Sequence, residues 1–241
     1  MQLQFNLVDC IHNNFSDGSF LENGDLGMTS VGRPIRTALA ERTIADFFEA
    51  QDCVLTRGAG TGAIRSALEV CIKPGEVVLV HDAPIYPTTK HAIEVMGLDV
   101  VTADYNYEDD IRREIAKKIP KVAIVQHTRQ LPTDNYDLKR VIVCIRGENP
   151  EIKIIVDDNY AIFKTPLSGV TVGADVSTFS CFKLQGPEGI GCVVGNRDIV
   201  AAIHNAACSG GTQVQGHEAM EVLRGLVNAP VALAVQAEQV N

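Results

Sequence analysis

The chain has 241 residues, more than one average domain and fewer than two, so one sizeable core with a partial second lobe is expected. Hydrophobic residues make up 46% and charged residues 21%, which excludes a disordered tail. Lysine and arginine number 21 against 30 aspartate and glutamate, a formal charge of −9. That balance argues against nucleic-acid and membrane partners and leaves room for a local pocket that takes one small anion.

The opening residues MQLQFNLVDC lack a basic start and a long apolar core, so no secretory signal is expected. No apolar run nears the roughly 20 residues that span a bilayer. Seven scattered cysteines without CxxC pairing suit reduced thiols in a cytoplasmic protein, and six unclustered histidines give no metal site.

Residues 35–50 place Ile35, Leu39, Ile44, Phe47 and Phe48 near one helical face. CVLT (53–56) reads as a short strand, and the glycine turn Gly58-Ala59-Gly60-Thr61-Gly62-Ala63 opens a helix through Ile64, Ala67, Leu68 and Cys71 that Pro74-Gly75 ends. VVLV (77–80) is a buried strand, and Thr88 or Thr89 is the expected cap of a helix running to Gly97. DVVTA (99–103) is a strand; Ile111, Ile115 and Ile119 stripe a helix that Pro120 ends. VAIV (122–125) is a strand, and Leu138, Val141, Ile142 and Ile145 stripe the next helix. IKIIV (152–156), VSTFS (176–180) and CVVG (192–195) complete the strands, and a long helix is expected from Ala219 to Val240. Continuous apolar strands alternating with amphipathic helices predict an α/β fold: three αβα layers around a mostly parallel central sheet.

In such sheets ligands sit at the carboxyl ends of strands. Those ends carry Arg57, His81-Asp82, Gln126-His127-Thr128-Arg129, Asp157-Asp158-Asn159-Tyr160 and Ser180-Cys181-Phe182-Lys183. The glycine turn admits two ligands. As a helix N-terminus without side-chain bulk it forms a phosphate cradle. As G-x-G-x-x-A, with Asp82 19 residues beyond Ala63, it also approaches the dinucleotide fingerprint of an NAD-dependent oxidoreductase. The second reading leaves the other strand ends unexplained. His81 and His91 read as structural residues, and no G-x-S-x-G, Walker or H-E-x-x-H motif occurs.

Asp158-Asn159, Gly173-Ala174-Asp175 and Ser180-x-x-Lys183, with 25 residues from Asp158 to Lys183, resemble the D-N-T, G-A-D and S-x-x-K series of the cystathionine and methionine lyase branch of fold-type-I pyridoxal-phosphate (PLP) enzymes, the aminotransferase superfamily. Arg224-Gly225-Leu226 resembles a downstream R-G-L segment of that branch. VQHTRQ, VSTFSCFK, GPEG and LRGLV resemble more closely an uncharacterised bacterial group, the YhfS-like aminotransferases, over nearly the whole chain.

The resemblance implies that Lys183 forms an aldimine with PLP and that Asp158 pairs with the ring nitrogen, with Asp157 as the alternative; alternation along the strand allows only one of the two carboxylates to reach the ring. It implies that Gly60, Thr61 and Gly62 hold the phosphate, helped by Ser180, and that Tyr86 stacks on the ring. His127 and Arg129 fall where the family places groups near the cofactor or substrate, although the lyases carry a different motif there. Gly210-Gly211-Thr212-Gln213 falls where related enzymes reach toward the neighbouring subunit's phosphate.

The implied organisation is an N-terminal segment, 1–34, reaching a partner subunit of a homodimer; a PLP-binding large domain, 35–228; and 229–241 as the start of a helix leading to a C-terminal domain that lies outside this sequence and supplies the arginine for the substrate carboxylate. The implied function is amino-acid transformation, with aminotransferase-like chemistry ahead of β- or γ-elimination at a carbon–sulfur bond. An inert PLP-binding fragment is the remaining alternative.

Overall fold

In the computed structural model, which describes all residues except 16, 17, 23, 28–31, 208–210 and 241, the short apolar runs assemble into one sheet of seven strands. These are β1 (Asp52–Arg57), β2 (Val77–His81), β3 (Asp99–Ala103), β4 (Val122–Gln126), β5 (Lys153–Asp157), β6 (Val176–Ser180) and β7 (Ile190–Gly195). Their order is β1-β7-β6-β5-β4-β2-β3. β6, β5, β4, β2 and β3 run parallel, and β7 runs antiparallel to both β6 and β1. Two reversals restore the direction, so the carboxyl ends of β1, β6, β5, β4 and β2 share one edge, where a doubly wound sheet binds its ligands.

The strands are apolar throughout because helices cover both faces. On one face α1 (Gln2–Asn14), α2 (Ile35–Phe47) and α8 (Gly216–Val240) bury Leu7, Ile44, Met220 and Leu223 against Leu55, Phe179 and Val194. Beside them on that face α5 (Glu108–Lys118) and α6 (Leu138–Glu148) bury Ile111 and Ile142 against Leu79, Ala123 and Val156. On the other face α3 (Ala59–Cys71), α4 (Pro87–Val95) and α7 (Arg197–Ala206) pack Ile64, Ile93 and Val200 against Val54, Ile124 and Val193. The three layers and the mostly parallel sheet are those the alternating pattern predicts.

Four details depart from the sequence reading. Residues 2–14 form a helix within the N-terminal segment, anchored by only two buried residues, Leu7 and Ile11, which is too sparse a stripe to read. α7 follows β7, with Asn196 accepting from Asp198 and Ile199 N–H groups at its start. Neither Thr88 nor Thr89 caps α4: Pro87 takes the first helical position, where its missing N–H costs nothing, and Tyr86 is the cap residue. Ile119 leaves α5 with φ 49° and an exposed side chain, so the apolar stripe ends at Ile115. Among the described residues no helix is long and apolar enough to cross a membrane.

Candidate active site

β1 ends at Arg57, and Gly58 (φ +93°) turns the chain into α3, whose first turn points along the ligand edge. Gly60 N–H donates to Ser180 Oγ at 2.8 Å, which ties this turn to the end of β6. A Cβ on Gly60 would fall 2.5 Å from Asn159 Nδ2 and 2.6 Å from Ser180 Oγ, so only glycine fits there. Gly62 serves the turn in another way. Its N–H bonds to Gly58 O at 2.8 Å, and a Cβ would fall 1.8 Å from Arg57 O. Gly62 N–H is thus engaged inside the turn, as Gly60 N–H is with Ser180 Oγ, while Ala59, Gly60 and Thr61 line the cavity.

That cavity, about 190 Å³, lies against Gly60, Thr61, Tyr86, Asp157, Ser180 and Lys183. Thr61 Oγ1 and Thr88 Oγ1 are 2.9 Å apart and join α3 to the start of α4, where Tyr86 stands half exposed on the rim. Lys183 leaves β6 in the short helical turn Cys181–Leu184. Its Nζ donates to Asn159 Oδ1 at 3.3 Å and lies 3.6 Å from the centre of the Tyr160 ring. Tyr160 and Gln185, on either side of the lysine, both hold positive φ, 67° and 64°, a strained conformation for such residues.

The two carboxylates ending β5 point to opposite faces, as alternation requires, but Asp157 is the one on the cavity. Its Oδ1 accepts from Asn159 N at 3.0 Å and Asn159 Nδ2 at 2.8 Å. Burial pushes the Asp157 carboxyl above the ordinary range, opposed by the Asn159 donors and the Lys183 charge. Asp158 is fully buried on the other face, where Oδ1 lies 2.6 Å from His127 Nδ1 and Oδ2 accepts from Gly169 N at 2.9 Å. A second recess meets Asp158 from the side of α8 and shares Asn159, Tyr160, Ser180 and Lys183 with the first.

The same alternation reorders the end of β4. Gln126 and Thr128 line the cavity, whereas His127 turns to Asp158 and Arg129 is exposed on the loop beyond. His81, expected to be structural, meets Asp134 at 3.0 Å, and Asp134 Oδ2 accepts from Gln130 and Leu131 N–H, so the pair anchors the loop that bears Arg129. Gln126, Thr128, Asn159 and Tyr160 stand among the strand-end residues of the sequence without an individual role. Strand-end position pointed to them, and their face of the sheet did not show in the spacing.

Asp82 and the glycine turn do not form a dinucleotide site. Four strands separate β1 from β2, a span of about 24 Å at the usual strand spacing, whereas a ribose-binding acid needs neighbouring strands. Gly210 lies outside the described residues; Gln213 is tied within its own chain, with Nε2 donating to Gly32 O at 2.6 Å and its carbonyl accepting from Arg57. Arg57 in turn forms a two-pronged ion pair with Glu218 at the start of α8.

Residues 34–224 match the aminotransferase class-V family. The chain is 49% identical over 237 residues to the uncharacterised protein YhfS of Escherichia coli K12, covering 98% of this chain and 65% of that protein. The crystal structure of the pyridoxal-5'-phosphate-dependent protein YhfS from E. coli superposes with a TM-score of 0.95 over 98% of this chain. L-methionine gamma-lyase of Treponema denticola is 25% identical over 183 residues, 71% of this chain and 43% of that enzyme. A carbon–sulfur lyase involved in aluminum resistance from Clostridium novyi shares the fold, with a TM-score of 0.75 at 17% identity over 95% of this chain and 62% of its own.

Proposed function

Because the chain belongs to the aminotransferase class-V family, we propose that it is the cofactor-binding part of a PLP-dependent enzyme acting at the Cα of an amino acid. One observation carries the reading: an anion cradle, a carboxylate and a lysine amine line a single cavity. That donor set fits a flat heterocycle with a phosphate at one end and a basic ring nitrogen at the other. Bound there, PLP would have its phosphate held by Gly60, Thr61 and Ser180, its ring nitrogen by Asp157, its aldehyde by Lys183 and a ring face by Tyr86, all of which line the cavity. When bound, PLP supplies an electron sink that acidifies the substrate Cα–H. Asp157 would accept the hydrogen bond of the ring nitrogen and so hold its proton there. The role first read for Asp158 passes to Asp157, since Asp158 directs both oxygens to His127 and Gly169.

Lys183 Nζ is the group that moves a proton at the substrate Cα. The family match favours the aminotransferase-like reading, with the amino group passed to an oxo acid. The methionine gamma-lyase relative supports the second reading, elimination at a carbon–sulfur bond. Both need the same Cα proton removal. A homodimer accompanies either reading; Leu3, Phe5 and Val8 of α1 are exposed apolar side chains suited to a second copy.

The test is amino-acid exchange in deuterated buffer. PLP-loaded chain is predicted to replace the Cα hydrogen of its substrate with deuterium, and Lys183→Ala to abolish that exchange. Release of oxo acid without ammonia identifies transamination, and release of thiol with ammonia identifies elimination. A panel of common amino acids that all retain the Cα hydrogen would contradict the proposal.

A further inference from the structure

The residue that joins the two chemical ends of the cavity is neither Asp157 nor Lys183. Asn159 Oδ1 accepts from Ser180 N at 2.9 Å and from Lys183 Nζ at 3.3 Å, and its Nδ2 donates to Asp157 Oδ1 at 2.8 Å. Two donors face one end of the amide and a carboxylate faces the other, so its orientation is fixed by its partners. The main-chain N–H of Asn159 also reaches Asp157 Oδ1, at 3.0 Å. Both donors thus converge on one carboxylate oxygen and leave Oδ2 for the cavity. Gly60, which Asn159 would clash with if it carried a Cβ, closes the circuit to the phosphate cradle through Ser180 Oγ.

From this we infer that Asn159 is a positioning residue, which aims Asp157 and holds Lys183 at the spacing the cofactor requires. The inference rests on the PLP reading. A hydrogen bond to a charged group is worth enough to turn a carboxylate that is otherwise free to rotate at the end of a strand. Burial disfavours the ionised Asp157, and the Asn159 donors oppose it, which agrees with the same role. No group bonds from Asn159 to the reacting carbon, so its effect passes through the other two side chains.

Two ligands separate the two arms. Pyridoxine phosphate lacks the aldehyde and cannot bond to Lys183, so its affinity reports Asp157 and the phosphate cradle. The pH midpoint of the visible band of PLP-loaded protein reports Lys183. Asn159→Ala is predicted to weaken pyridoxine phosphate about tenfold, the scale of one charge-assisted hydrogen bond, and to move the midpoint by about half a unit or more. Asn159→Asp, which puts a carboxylate 3.3 Å from the amine, is predicted to raise the midpoint. Far-UV circular dichroism establishes folding, and Asn159→Ser replaces the alanine variant if alanine unfolds. A folded variant with affinity within about threefold and an unmoved midpoint overturns the inference. A change in only one arm overturns it as well, because a single amide cannot aim both groups and affect one. Failure of the unaltered chain to bind PLP at all is a separate result, and that one counts against the proposed function.

Discussion

At the residue scale the choice between adjacent aspartates shows what a sequence can specify. Twenty-five residues from Asp158 to Lys183 match a family spacing, yet a spacing carries no information on which face a side chain takes. Strand alternation correctly requires one carboxylate in and one out. Only the packing reveals that Asp157 faces the cavity and Asp158 holds His127. The predicted consequence is a reversal: Asp157→Asn should lose nearly all Cα exchange while retaining some PLP through the cradle. Asp158→Asn should keep measurable exchange and lower the thermal midpoint, since breaking a buried hydrogen-bonded pair typically costs about 3–5 kcal/mol. Deuterium exchange and thermal unfolding on both variants decide it. Lys183 and Ser180, by contrast, were legible from the sequence because each leaves a strand that is buried along its whole length, at an edge where a charged or hydroxyl side chain has a partner waiting.

Elements set the pose of that lysine. The short turn Cys181–Leu184 has α8 pressed against its far side, and Gly225 is what allows the approach: a Cβ there would fall 2.5 Å from Gly186 N and 2.6 Å from Gln185 O. This explains the R-G-L segment physically, with Arg224 reaching Glu22 O at 3.0 Å and Gly225 admitting the turn. Gly225→Ala should destabilise the fold by about 1–3 kcal/mol by overpacking and shift the visible band, because the turn that bears Lys183 must move. Unchanged stability and spectrum would remove the glycine's structural role. The strands and six of the eight helices were legible because their apolar periods are strong. α1 was not, as only Leu7 and Ile11 of it are buried; α7 was legible in principle, through the Asn196 cap and the apolar face of Ile199, Val200 and Ile203. The N-terminal segment is nevertheless held: Asp25 accepts from Ile35 N at 2.6 Å and Arg36 N at 2.9 Å, capping α2 from ten residues upstream.

Across the whole molecule, the order of strands decided what motif logic alone left open. The glycine turn suits a phosphate in either of two fold families, and the four strands between β1 and β2 dismiss the dinucleotide reading. One buried cluster away from the cavity is expected to make the stability of the fold depend on pH. Glu41 is a buried residue of α2, with Oε2 2.7 Å from Arg33 and 3.6 Å from His204. Burial drives the Glu41 carboxyl up to about 8 against the Arg33 charge, and burial drives His204 down to about 4. Above its ordinary range the unfolded Glu41 has lost its proton while the folded one keeps it. Its contribution therefore falls as pH rises, by about 1.4 kcal/mol per unit, until pH 8. His204 acts in the opposite direction, with stability lost as pH falls from its ordinary value toward 4. Glu41→Gln should flatten the decline between pH 6 and 8 in thermal melts; a variant that keeps the wild-type slope would assign that slope to other groups.

The central claim is that this cavity binds PLP with Lys183 as the attached residue. Lys164 offers a direct rival, since its amine lies 5.8 Å from the same Tyr160 ring. The measurement is borohydride reduction of the PLP-loaded chain followed by peptide mapping. The expected result is a visible band that borohydride bleaches and a single pyridoxyl group on residue 183. A group on Lys164 or Lys153, or a chain that takes up PLP without any visible band, would contradict it.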